Sequence, residues 1–113
     1  MDNCLFCKIA RKELPAKLVY EDEELFAFED IHPQAPTHIL LCPRKHMVSL
    51  ADGTAADAAL LGRLHLTAAK LAAERNLGGG YRTVINNGEG AGQSVSHLHV
   101  HLLGGRAFRW PPG

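Results

Sequence analysis

Short runs of apolar and polar residues fill most of this chain, and one long segment carries the three-and-four spacing of a helix. Residues 17–20 (Lys-Leu-Val-Tyr) and 25–28 (Leu-Phe-Ala-Phe) read as strands on either side of the polar turn Glu21-Asp22-Glu23-Glu24, which predicts a hairpin. Pro33 and Pro36 force the loop that follows. Residues 38–42 (His-Ile-Leu-Leu-Cys) are nearly all apolar, as a central strand would be, and Pro43 ends the run. Between about Thr54 and Asn76, the residues Leu60, Leu61, Leu64, Ala68, Leu71 and Ala72 share one helix face. Thr54 with Asp57 forms a capping-box pattern at its start, and Gly78 is placed to cap its end. Residues 81–85 and 95–103 read as two further strands around a Gly-rich loop at 87–94, and residues 4–11 as one or two helical turns. The expected fold class is α+β, with a five-stranded, mostly antiparallel sheet, one long helix and a short N-terminal helix, in one domain over 1–113.

Composition narrows the function. The chain has 113 residues, of which 46% are hydrophobic and 21% charged, enough to build a core without staples. Lys+Arg and Asp+Glu balance at 12 each, which removes any broad electrostatic ground for binding nucleic acid or an anionic membrane. A local anion site remains open to backbone N–H groups and a few histidines. No apolar run is long enough to span a bilayer, and Met1-Asp2-Asn3-Cys4 is neither basic nor apolar, so a cytoplasmic protein without a signal peptide is expected. Three cysteines in a reducing compartment argue against a disulfide framework. Cys42, ending a buried strand, is expected to pack. Cys4-Leu5-Phe6-Cys7 has the spacing of a zinc half-site, the alternative being two ordinary reduced cysteines.

The strongest chemical signal is His97-Leu98-His99-Val100-His101-Leu102, which alternates strictly. In a strand, such alternation puts three imidazoles on one face and Leu98, Val100 and Leu102 on the other. The aliphatic face then belongs to the core, and the imidazole face meets a site or solvent. A polar strand face and a three-histidine metal site are the competing readings. The loop Asn87-Gly88-Glu89-Gly90-Ala91-Gly92-Gln93-Ser94 stands directly before the run. Its glycines allow backbone N–H groups to approach an anion, and Ser94 adds a hydroxyl, so loop and histidines together read as a phosphate site with an imidazole nucleophile.

Residues 92–106 (Gly-Gln-Ser-Val-Ser-His-Leu-His-Val-His-Leu-Leu-Gly-Gly-Arg) resemble the signature of the histidine-triad (HIT) superfamily. Residues 30–38, the Pro43-Arg44-Lys45-His46 segment and the closing Trp110-Pro111-Pro112-Gly113 extend the similarity, the last toward the Hint branch of purine nucleoside phosphoramidate hydrolases. The resemblance implies a HIT-like fold and a reaction in which His99 attacks the α-phosphorus of a nucleoside 5′-phosphoramidate. A nucleotidyl-histidine would form and water would release the nucleoside monophosphate. It implies that His101 and Ser94 contact the phosphate or protonate the leaving nitrogen, and that His38 positions the cluster. Asp30 would bind the ribose hydroxyls, although an Asp before a Pro-rich loop also caps turns. Asn86 and the Gly92 amide would hold phosphate or ribose, while Leu5, Phe6, Ile9, Phe28 and Ile31 would line a purine pocket. His32 and His65 receive no role, His32 being read as surface.

The same resemblance supplies His46 and His97 as partners for Cys4 and Cys7, a Cys₂His₂ structural zinc site, with no catalytic metal or organic cofactor. It also implies a purine nucleotide ligand of the AMP or GMP type and a homodimer. Two other functions stay open: a nucleotide-binding regulatory module, and a dinucleoside polyphosphate hydrolase.

Overall fold

Antiparallel pairing of alternating strands gives the sheet two differently furnished faces. The computed structural model describes residues 3–113; residues 1–2, the start of the domain expected over 1–113, lie outside the described residues. Helix α1 (Leu5–Ala10) leads into strands β1 (Leu18–Glu21), β2 (Leu25–Glu29) and β3 (Thr37–Pro43). Helix α2 (Ala58–Glu74), strand β4 (Tyr81–Val84) and strand β5 (Val100–Gly104) follow. The sheet order is β1-β2-β3-β5-β4, and every neighbouring pair is antiparallel. The expected α+β architecture of five strands, one long helix and a short N-terminal helix is present.

On one face, Leu25 and Ala27 of β2, Ile39 and Leu41 of β3, and Val100 and Leu102 of β5 pack against Leu64, Ala68, Leu71 and Ala72 of α2. A Leu→Ala change at so buried a position as Leu64 costs about 2–5 kcal/mol. On the other face, Phe26, Phe28, Leu40 and Cys42 meet Phe6 and Ile9 of α1. Cys42 is fully buried there, packing as expected. Six residues of helix cover far less sheet than seventeen do. The second face is therefore incompletely covered, and the uncovered part is where the site lies. Arg44 fastens α1 in place: its guanidinium donates to the carbonyl oxygens of Ala10 (3.1 Å) and Asp22 (2.7 Å).

Three boundaries differ from expectation. The capping box of Thr54 and Asp57 forms, but its first turn, Ala55–Asp57, is 3₁₀, and α2 proper starts at Ala58. The helix ends at Glu74, with Asn76 at φ 59° taking the left-handed position assigned to Gly78. The largest difference is at β5, expected over 95–103 and observed only over Val100–Gly104. Its neighbour β3 ends at Pro43, which has no N–H to continue the ladder. The Pro43 carbonyl is taken instead by His97 Nε2 at 2.8 Å, and the Leu98 N–H turns to the carbonyl of Met47 at 2.7 Å. The alternation survives outside the ladder: Leu98 joins Val100 and Leu102 in the core, while Phe6 meets the rings of both His97 and His99 edge-on.

Candidate active site

The uncovered part of the second sheet face is a cavity of about 470 Å³, a volume suited to a small molecule. The five residues expected to line a purine pocket, Leu5, Phe6, Ile9, Phe28 and Ile31, all border it. Asp30, Ser94, His99 and His101 border it too. Leu14, Pro15, Ala16, Leu40, Val95 and Glu29 were not expected there. Leu40 was within reach of the sequence, since it alternates with His38 along one strand face. The Leu14-Pro15-Ala16 wall carries no motif. His32, read as surface, is exposed and stands at the cavity rim. Asn86 lies just beyond β4, half-buried and outside the lining. Gly92 also lies outside it, in a left-handed conformation with its N–H donated to the carbonyl of Glu89 at 3.0 Å. Gln93 braces the loop: its Oε1 accepts from the Gly88 N–H (2.8 Å) and its Nε2 donates to the Val48 carbonyl (2.6 Å).

Backbone partners decide which nitrogen of each ring is available. His99 Nδ1 lies 2.7 Å from the carbonyl oxygen of His97, which can only accept, so Nδ1 carries the proton and Nε2 the lone pair. His38 has the opposite arrangement. Its Nδ1 accepts from the Gln34 N–H at 3.0 Å, so Nε2 carries the proton and donates to His101 Nδ1 at 2.9 Å. His101 then holds its own proton on Nε2. Asp30 caps the turn, one of the two roles weighed for it, and borders the cavity. Its Oδ1 caps the turn at the His32 N–H (2.8 Å), and its Oδ2 approaches His38 Nε2 at 3.5 Å. Burial, aided by the neighbouring His99 and His38, pushes the His101 imidazole down to about 4. Burial also lowers His38, against an opposing pull from Asp30. His38 and His101 are accordingly neutral at pH 7.

A second cluster lies behind the first. Cys4, Cys7, His46 and His97 offer ligand atoms all within 4.8 Å of one another. Cys4 Sγ is 3.4 Å and Cys7 Sγ 3.6 Å from His97 Nδ1, and Cys7 Sγ is 3.3 Å from His46 Nδ1. Tetrahedral zinc, with bonds of about 2.3 Å to sulfur and 2.0 Å to nitrogen, requires edges of roughly 3.3–3.8 Å, so the donor set fits. His97 Nε2 donates to the Pro43 carbonyl, which leaves Nδ1 free for a metal and orients the ring as an outer-shell partner does. Burial raises the Cys7 thiol above its usual range, and Cys4 adds to the effect. These four residues could hold a metal ion that ties α1 to the segment before β5.

An antiparallel five-stranded sheet with one long helix, carrying an alternating histidine run beside a cavity of small-molecule size, defines the histidine-triad class. The HIT domain family model matches residues 11–108, and the chain belongs to that family. An uncharacterised HIT-like protein of Synechococcus elongatus is 53% identical over 112 residues, covering 99% of this chain and 98% of that one. The crystal structure of a HIT family hydrolase from Legionella pneumophila superposes with a TM-score of 0.97 at 52% identity, covering 98% of this chain and all of that one. A histidine triad nucleotide-binding protein from Candida albicans has a TM-score of 0.83 at 30% identity, covering 98% of this chain and 85% of that one.

Proposed function

We propose that this chain hydrolyses purine nucleoside 5′-phosphoramidates through a covalent nucleotidyl-histidine on His99. The observation that carries this reading is the His99 Nδ1–His97 carbonyl bond, which leaves Nε2 as the lone-pair nitrogen of a ring bordering the cavity. Nε2 attacks the α-phosphorus, the P–N bond of the substrate breaks, and the amine leaves after taking a proton. Water then attacks the phosphorus, the P–N bond to His99 breaks, and nucleoside monophosphate is released. His101, donating from Nε2, and the Ser94 hydroxyl contact the phosphate or help protonate the leaving nitrogen. This reading is supported by the position of both at the cavity and by the His38 proton that His101 Nδ1 can take up as its Nε2 proton leaves. Asp30 serves the ribose hydroxyls, and the apolar residues of α1, β2 and the following loop take the base. Asn86 and Gly92, both outside the lining, would reach phosphate or ribose only after the 86–94 loop shifts, which in the case of Gly92 must free its N–H from the Glu89 carbonyl.

The hydrolase of Legionella pneumophila and the nucleotide-binding protein of Candida albicans support a nucleotide hydrolase in general terms. We assign zinc to Cys4, Cys7, His46 and His97 in a structural role, with chemistry left to the imidazoles. Among the described residues no helix is long and apolar enough to cross a membrane, in keeping with a cytoplasmic enzyme. Leu66 of α2, 72% exposed, and Tyr81 on the edge strand β4 give a second copy of the chain an apolar surface to cover, as a homodimer would.

The test is incubation with adenosine 5′-phosphoramidate, followed by acid-free quenching and mass mapping. AMP release with adenylated His99 is expected. Adenylation at another residue, or AMP binding without turnover, overturns the assignment, and the latter outcome marks a regulatory module. Preferential cleavage of diadenosine polyphosphates marks the other hydrolase reading.

A further inference from the structure

Cys4, the N-cap of α1, and Cys7 within it bracket Leu5 and Phe6, two residues that border the cavity. The Cys4 sulfur also caps that helix, accepting from the Cys7 N–H at 3.4 Å. The Phe6 ring lies edge-on to His99 with centroids 5.1 Å apart and to His97 at 5.9 Å. His97, in turn, is fully buried, faces both cysteines through Nδ1, and offers its carbonyl to His99 Nδ1. Two short routes therefore join the four-ligand cluster to the cavity: one through α1 and Phe6, the other through the His97 backbone to His99.

We propose that metal binding at Cys4, Cys7, His46 and His97 is thermodynamically coupled to nucleotide binding in the cavity, with the two cysteines acting as positioning residues through Phe6 and His97. The proposal rests on the nucleotide reading given above. With the ligands clamped, α1 and the 97–99 backbone are held in the arrangement that receives the base and phosphate. Without the clamp, α1 keeps its packing through Phe6 and Ile9 and its Arg44 bond, but its first turn loses the tie to the 97–99 backbone that positions Phe6 and His99 for the nucleotide. Such coupling is reciprocal by necessity: whatever factor the metal adds to nucleotide affinity, the nucleotide adds to metal affinity.

AMP titrated calorimetrically into the zinc-loaded and the chelator-stripped full chain should bind about tenfold more weakly to the stripped form. Zinc affinity, read by competition with a chromophoric chelator, should tighten by the same factor when AMP is saturating. Phe6→Leu retains all four ligands and should leave zinc affinity without AMP unchanged while reducing the coupling to about threefold or less. Equal AMP affinity in the two forms overturns the coupling and leaves the nucleotide reading intact. No AMP binding to the loaded form overturns both. Where the stripped chain loses its far-UV helical signal, the cobalt(II)-loaded chain replaces it. Its visible ligand-field bands should shift on AMP saturation, and bands that stay fixed while calorimetry records binding overturn the proposal.

Discussion

Two groups of histidines lie back to back in this protein, and one hydrogen bond per ring separates their chemistry. Both groups meet a simple distance criterion for metal binding: Cys4, Cys7, His46 and His97 on one side, Asp30, His38 and His101 on the other. In the first, His97 Nε2 donates to the Pro43 carbonyl, and Nδ1 presents its lone pair to the cysteines. In the second, the Gln34 N–H is donated to His38 Nδ1, so Nε2 keeps its proton and points it at His101. A metal on that nitrogen would need an imidazolate. The first group could therefore hold a metal, whereas the second holds a proton between its rings. Proximity of ligand-type side chains says little until the partner of the remote ring nitrogen is known.

Three experiments break the comparison in order of effect. His99→Ala removes the proposed nucleophilic nitrogen and should lower adenosine phosphoramidate turnover at least about a thousandfold, or ~4 kcal/mol in activation free energy. Its AMP affinity, read by calorimetry, should stay within about threefold of the parent. Next, elemental analysis of protein purified without chelators should give about one zinc per chain, not two. Stripping that zinc should lower Tm by several degrees, as loss of a tightly held native-state ligand does. A second equivalent bound at Asp30, His38 and His101 would erase the distinction drawn between the clusters. Third, His38→Ala removes the proton that orients His101 and should reduce kcat about tenfold to a hundredfold. Because His38 does not border the cavity, AMP affinity should hardly change. A loss confined to binding would place His38 in the pocket instead.

Much of this arrangement was legible in the sequence where local periodicity decides it. The alternation of Leu98, Val100 and Leu102 against the histidines set the two faces correctly, and the apolar row from Leu64 to Ala72 found the core side of α2. The strand boundary at 95 failed because ladder continuation depends on the partner strand, and Pro43, more than fifty residues earlier, ends that partner. The cavity wall at Leu14-Pro15-Ala16 was invisible for a similar reason, since those residues acquire a role only when α1 folds against the sheet. Ring tautomers were also beyond sequence. They depend on backbone groups at Pro43, Gln34 and His97 that any residue type would supply in that conformation, apart from the N–H that proline lacks.

The smallest expected effect concerns acid stability, and it separates the clusters without any ligand. Burial holds His101 down to about 4 and lowers His38 in the same direction, whereas in the unfolded chain both imidazoles titrate near pH 6.5. Between those limits the unfolded state binds protons that the folded state refuses. Stability from these groups is thus complete above about pH 6.5 and falls as the pH drops toward about 4. Urea midpoints of the zinc-loaded chain should decline by on the order of 0.5 M between pH 7 and pH 5. His101→Gln removes the larger contributor, and its midpoint should fall by less across the same interval. A variant as acid-sensitive as the parent would assign the loss to protonation of the metal ligands, and would mean that the cavity histidines accept charge more readily than their burial implies.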